Sequence, residues 1–186
     1  MNVLYIRAAA LHFRLTIFFD SPSIPQYDSH LRQLWLAVID FVEHALALKS
    51  EANESLIKYS TNYIQQMLTA AAFALLKLLN SPFAQHIDFN YGKSLFSQLI
   101  ETIRAISVSS HDLPCRLTEV LVQLWRAGDV GKKGTGSSPN TLDYSLQVKV
   151  RCRMSMSLIF DSVWRWREEF KSDGYAKLEG KALLGF

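Results

Sequence analysis

The sequence predicts an all-α fold, an irregular bundle of about six helices around a central apolar helix at residues 63–80. From Tyr63 to Phe83, apolar side chains cover nearly the whole circumference of a helix, so other segments have to surround it. Further stretches repeat apolar residues at helical spacing, with turn residues between them. The apolar run from Met67 to Leu79 falls below the ~18 residues of a membrane-spanning helix, so we expect no membrane partner.

Whole-chain composition predicts one folded domain of a reducing compartment. The 186 residues, 49% of them hydrophobic, suffice for a sizeable core, and a net charge of +3 is too small to imply a nucleic-acid or membrane partner by itself. Cys115 and Cys152 form no C-x-x-C pair and have no histidine at ligand spacing, so we expect no disulfide framework, metal or cofactor. Arg7, His12 and Arg14 interrupt the apolar start, which opposes a signal peptide.

The first predicted helix runs from Val3 to Phe19 and is apolar nearly all round, so we expect it to lie inside a larger fold. The turn at Pro22 ends it. A second helix is predicted from His30 to Leu48 by its apolar stripe, with Ser29 or Asp28 as its N-cap.

The central helix is predicted to have a polar first turn. Asn53 can cap it, and Glu54 with Lys58 forms a favourable pair one turn apart. The sequence Asn80-Ser81-Pro82 ends this helix.

A fourth helix is predicted from Tyr91 to Val108, on the strength of an apolar face. The fifth helix begins at Asp112, a suitable cap, with Pro114 in the first turn, where its missing N–H costs nothing. Gly128 is predicted to end it in a left-handed conformation.

Residues 128–141 are rich in glycine and predict a flexible loop, whose GKKGTGS does not satisfy the phosphate-binding pattern G-x-x-x-x-G-K-[ST]. The stretch 142–158 alternates as a strand would, yet it is long for a strand and no second alternating segment could pair with it. A helical template fits it as well and continues to Phe170, so we predict a sixth helix. The helical domain then comprises residues 1–171, followed by a poorly ordered tail at 172–186.

Basic residues cluster towards the C-terminus, at Lys149, Arg151, Arg153, Arg165 and Arg167. The two tryptophans of WRWREEF beside arginines could stack on nucleic-acid bases, but amphipathic packing is the more ordinary interpretation.

Few residues could support catalysis. Asp40 with His44, and His111 with Asp112, are acid and imidazole pairs, and Cys115 is a thiol near the second pair. Neither pair has a plausible third member. The better interpretations are a solvated contact between Asp40 and His44, and a role for Cys115 as a small apolar side chain that fills space. We therefore predict no catalytic residues and no enzyme.

Three stretches carry a resemblance to a known family: QMLTAAAFALLKLLNSPFAQHID, GKSLFSQLIETIRAISVSSHDLPCRLTEVLVQLW and VKVRCRMSMSLIFDSVWRWREEF. They resemble the regulatory region of fungal binuclear zinc-cluster transcription factors, most of all the branch that contains the leucine-biosynthesis and weak-acid-response regulators. The resemblance extends from Met1 to about Phe170.

The resemblance implies a nuclear, all-helical domain that lies carboxy-terminal to a DNA-binding module and controls transcription in response to a metabolite or stress signal. Its partners would be the transcription machinery or a related regulator. The family's DNA-binding module uses six cysteines and this chain has 2, so zinc and DNA contacts cannot be assigned to any residue here. We expect a regulatory fragment or truncated paralogue; alternatives are a standalone helical interaction module pairing with a full-length regulator, and a small helical enzyme.

The resemblance also suggests an anionic metabolite as the signal. Arg7 and Arg14 each interrupt an apolar helix and, being seven residues apart, share a face. They are the predicted ligand-binding residues, because a guanidinium in an apolar wall binds a carboxylate strongly. The alternative is that their face simply meets solvent.

Overall fold

The computed structural model describes residues 2–20, 26–48, 56–109, 112–133, 146 and 157–170. All regular structure in these ranges is helical, which confirms the predicted all-α class. The α-helices are α1 (Asn2–Arg14), α2 (Tyr27–Ala47), α3 (Asn62–Asn80), α4 (Phe89–Ile106), α5 (Leu113–Lys133) and α6 (Ser157–Phe170). Short 3₁₀ segments lie at Leu15–Phe19, Leu56–Tyr59 and Pro82–His86.

Helix α3 is the centre of the bundle, as predicted. Every side chain from Met67 to Asn80 is buried except that of Lys77, which is partly buried. The helix contacts α1, α2, α4, α5 and α6. Its alanines, Ala70 to Ala72 and Ala74, are all buried, and their small side chains let neighbouring helices come close.

The first helix is buried on one face and not all round. Leu4, Ala8 and Leu11 pack inward against α2 and α3, whereas the opposite face, including Ile6 and Phe13, is exposed. The regular α-helix ends at Arg14, and a 3₁₀ segment completes the predicted range to residue 19.

The predicted first turns of two helices are wrong. Helix α2 begins at Tyr27, after Gln26 in a left-handed conformation (φ 69°), so Asp28 and Ser29 lie inside its first turn and do not cap it. There Asp28 complements the positive end of the helix dipole. Helix α3 begins at Asn62, behind the separate 3₁₀ segment Leu56–Tyr59, so Lys58 is not part of its first turn. Asn53 and Glu54 lie outside the described residues.

The turn between α4 and α5 confirms the predicted cap at Asp112. Its Oδ1 accepts a hydrogen bond from the Cys115 N–H (3.1 Å), and its Oδ2 accepts from the Val108 N–H (2.8 Å). The Ser107 hydroxyl donates to Oδ1 over 2.6 Å. Helix α4 has a comparable cap that the sequence analysis missed: Asp88 Oδ1 accepts from the Tyr91 N–H (2.9 Å).

The predicted end of the fifth helix is wrong, because α5 continues through Gly128 to Lys133. A glycine inside a helix costs only about 1 kcal/mol relative to alanine, so it does not by itself end one. The loop prediction for residues 134–141 lies outside the described residues. The same holds for the helix-or-strand question at 142–156, apart from the core contact of Leu146, and for the predicted tail at 172–186.

Candidate functional site

A fully buried acid and two largely buried cations form a cluster between α3 and α6. Asp161 on α6 is 0% exposed, and its Oδ2 lies 3.4 Å from Lys77 Nζ and 3.2 Å from Arg165 Nε. Arg165 follows Asp161 by one helical turn, so both side chains lie on the same face of α6. Lys77 reaches them from α3, where it interrupts the apolar surface. We call these three residues the α6 anchor.

Burial makes the α6 anchor energetically important. Removing a carboxylate from water costs several kcal/mol unless opposite charges compensate it. Lys77 and Arg165 supply that compensation for Asp161 from two different helices, so the position of α6 depends on a correct partner on α3. A signal that altered this charge pairing would therefore act on the packing of α6.

A second polar contact ties α6 to the bundle. The Trp166 indole N–H donates to Gln123 Oε1 of α5 over 2.6 Å, and the ring is partly buried against the core. This supports the packing interpretation of WRWREEF for Trp166. Trp164, by contrast, is 46% exposed.

The predicted ligand residues lie on α1, on a different helix from the anchor. The Arg7 guanidinium pairs with the Asp40 carboxylate of α2 and also donates to the Asp40 backbone carbonyl (3.0 Å). Arg14 is exposed at the end of α1. Their Cα atoms are about 10 Å apart along the helix axis, at ~1.5 Å per residue. The metabolite site at Arg7 and Arg14 stays a prediction.

The predicted catalytic alternatives have structural roles where they are described. Asp40 pairs with Arg7 of α1, and its solvated contact with His44 one turn along α2 stays a prediction. Asp112 caps α5, and Cys115 is half-buried in the first turn of that helix. His111 lies outside the described residues. Across the described ranges, no three His, Cys, Asp or Glu side chains gather as a metal site would need.

The sequence analysis missed the α6 anchor. It singles out neither Asp161, which lies among the C-terminal basic residues, nor Lys77, which interrupts the apolar central helix. The sequence could have predicted part of it. Asp161 and Arg165 are one helical turn apart, which predicts an ion pair, and Asp161 follows the apolar Leu158 and Ile159, which predicts a partly buried position. That signal could not name Lys77, which is 84 residues earlier in the chain.

The fold and these contacts define an all-α domain in which the described charged clusters fix helix packing. Over 157 residues, 80% of this chain, the sequence is 26% identical to "Regulatory protein LEU3" of Saccharomyces cerevisiae. The match covers 17% of that protein's length. The chain is thus distantly similar to one segment of a protein named as regulatory.

No protein-family model matches the chain, and no solved structure matches it. Among the described helices, none has the combination of length and apolar character that crossing a membrane requires.

Proposed function

We propose that this chain is a regulatory domain of the fungal zinc-cluster transcription-factor type, which controls transcription in response to a metabolite or stress signal. The observation that carries the proposal is the similarity to a named regulatory protein over 80% of the chain. The all-α fold agrees with the family resemblance of its three stretches. Contact with DNA would be made by a separate DNA-binding module, and the site of action would be the nucleus.

The α6 anchor suggests how such a domain would work. An effector shifts a conformational equilibrium only as far as its affinities for the two states differ. We propose that α6 has two states, packed on α3 and released, because a buried Asp161 carboxylate that keeps only part of its charge compensation is costly. In this proposal the effector changes the packing of α6 on α3, and the change is passed to the transcription machinery.

A reporter assay tests the regulatory role. The chain is fused to an unrelated DNA-binding module, and transcription from that module's site is compared with the module alone. We expect the fusion to change transcription, and Lys77→Met to alter the effect because it removes the α3 partner of Asp161. Lys93→Met, at an exposed position on α4, is the matched control. Reporter output equal to that of the module alone would reject the regulatory role.

The effector is proposed to be a small anionic metabolite, and thermal stability detects it without knowledge of the site. A ligand at ~100 times its dissociation constant stabilises the folded state by about 2.7 kcal/mol. If Arg7 binds it, Arg7→Ala abolishes the shift in melting temperature while Asp40→Ala, which breaks the same ion pair but keeps the guanidinium, does not. Arg14→Ala tests the second arginine. A shift that survives both arginine substitutions would place the site elsewhere.

A second candidate function is a standalone helical interaction module that pairs with a full-length regulator. The specific observation in its favour is the exposed apolar face of α1. Under this candidate the chain acts by occupying a surface of another protein and need not bind a metabolite at all.

A further inference from the structure

The exposed face of α1 carries an ordered apolar row. Val3 is 48% exposed, Ile6 69% and Phe13 76%, and Ala10 between them is also exposed. These four positions are spaced 3, 4 and 3 residues apart, the a and d spacing of a helix that packs against another helix. We call them the outer seam. It is separate from the buried face of α1, which packs on α2 and α3.

Both arginines of α1 flank the outer seam on one side. When Val3 and Ala10 are a positions and Ile6 and Phe13 are d positions, Arg7 and Arg14 both occupy the e position. Charges at e set which partner helix is accepted and in which orientation. The seven-residue spacing of Arg7 and Arg14 is therefore a heptad spacing, and both arginines lie beside an exposed apolar row.

Charge disfavours the α1 helix of a second copy of the chain as the partner. Residues 2–14 contain no aspartate or glutamate. In an antiparallel pair of α1 helices, the arginine row of one copy would face that of the other, and like charges repel. In a parallel pair the row would face Asn2 and Ala9, which offer no charge.

We propose that the outer seam of α1 is a docking surface for an amphipathic helix of another protein, with an apolar seam of its own and acidic residues beside it. An acid facing Arg14 gains a charge partner, since Arg14 is exposed. Arg7 contributes less, because Asp40 already pairs with it and is the acidic group that faces it from α2. The seam spans about 15 Å, or roughly three turns, which a short helix can cover.

The proposal is independent of the transcriptional role, because it rests on the geometry and charge of α1 alone. The probe is a synthetic 21-residue helical peptide with isoleucine at a, leucine at d and glutamate at e and g. Its own glutamates oppose self-association. A second peptide is identical except for lysine at e and g. Both are labelled, their helicity is checked by circular dichroism, and binding to the full chain is followed by fluorescence anisotropy.

We expect the glutamate peptide to bind, and the lysine peptide to bind several-fold more weakly. Phe13→Ser should weaken binding of the glutamate peptide by about tenfold or more, because a large apolar contact is lost. Phe160→Ser on α6 is the matched control: Phe160 is 65% exposed, close to Phe13, and should leave binding unchanged. Arg14→Glu should reverse the preference between the two peptides.

Several results would overturn the proposal. They are equal binding of the two peptides, no binding at roughly 100 μM peptide, and loss of binding in Phe160→Ser but not in Phe13→Ser. Analytical ultracentrifugation provides a further check. A concentration-dependent dimer that disappears in Phe13→Ser would assign the outer seam to self-association instead. Both phenylalanines are exposed, so the variants should fold, and their melting temperatures verify this.

Discussion

At Gly92, three helices meet with no space for a side chain. A Cβ atom there would lie 2.7 Å from Trp35 Cη2 of α2 and 2.9 Å from Leu79 Cδ2 of α3. Real Cβ atoms do not approach other atoms so closely, so both side chains, or α4 itself, would have to shift. Gly92 is therefore the residue that sets how closely α4 packs on α2 and α3.

Gly92→Ala should lower the free energy of unfolding by about 1–2 kcal/mol, because overpacking outweighs the better helix propensity of alanine. Urea unfolding measures it. Adding Trp35→Leu should cancel much of the overpacking penalty, since it removes the ring that the new methyl group meets. Ala105→Gly, at an exposed position on the same helix, is the control that measures the helix-propensity difference between the two residues without a packing term. Equal stability of Gly92→Ala and the native chain would contradict the close packing.

Asp112 has an unusual acidity with a clear cause. Burial alone would raise the pKa of this carboxyl, but hydrogen bonds from the Ser107 hydroxyl and from the backbone N–H groups of Cys115, Val108 and Ser109 outweigh burial. They lower the pKa from 3.8 to about 2. Because the folded-state pKa is lowered, the carboxylate stabilises the fold above the unfolded pKa. That contribution is lost as the pH falls from about 4 through 2.

Asp112→Asn should therefore remove part of the acid sensitivity of folding. At pH 7 we expect a loss of about 1 kcal/mol, typical of a weakened helix cap. Between pH 4 and 2 the free energies of unfolding of variant and native chain should converge. In that range the Asp112 carboxyl becomes protonated and loses the stabilising contribution that asparagine lacks at every pH. Chemical denaturation at several pH values tests this. A constant difference across that window would argue against the lowered pKa.

At the scale of helices, the α6 anchor predicts a double-mutant effect. Lys77→Met leaves a buried carboxylate with one fewer cation and should cost about 2–4 kcal/mol, somewhat less than the ~3–5 kcal/mol of a fully broken buried pair because Arg165 remains. Asp161→Asn should also destabilise. The double variant should cost clearly less than the sum of the two, since each charge is harmful mainly when its partner is missing. Additive costs would show that Lys77 and Asp161 are not coupled.

The sequence predicted that a helix exists wherever one strong pattern, such as a long apolar run, was present. It did not predict where most helices begin and end. The apolar run after Met67 requires a surrounded helix, and Asp112 before Pro114 is a strong start signal, so α3 and the start of α5 were predicted correctly. The predicted helix end at Gly128 was wrong because a glycine inside a helix costs only about 1 kcal/mol, which is less than the stabilisation that tertiary packing supplies. Arg7 with Asp40 and Lys77 with Asp161 were missed because each pair joins residues far apart in the chain.

At the scale of the whole molecule, the exposed apolar surface differs from what the sequence suggested. The sequence predicts that both Val3 to Phe19 and Met67 to Leu79 are apolar nearly all round and have to be surrounded by other segments. The structure buries the second stretch except for Lys77 and leaves the outer seam of α1 exposed. Marginal solubility of the chain would therefore come from α1, and Phe13→Ser would improve it.

The chain alone should not bind DNA sequence-specifically. Its net charge of +3 is small, and the basic residues at 149–167 can give only salt-sensitive contacts with phosphates. A mobility-shift assay with random duplex DNA and with an inverted CGG-type site, at low and moderate salt, checks this. We expect equal, weak shifts that disappear as salt rises. A retained preference for the CGG-type site would contradict the prediction.

The central position of α3 also has a consequence for synthesis on the ribosome. Its apolar residues are translated before α5 and α6, which supply part of its cover. At about 5–20 residues per second, roughly 5–20 seconds pass between the synthesis of Asn80 and that of Phe170. For that interval α1 and α2 can already pack on α3, but the part of its surface that α5 and α6 cover in the folded protein lacks that cover, so we expect chaperones that bind nascent chains to contact it there.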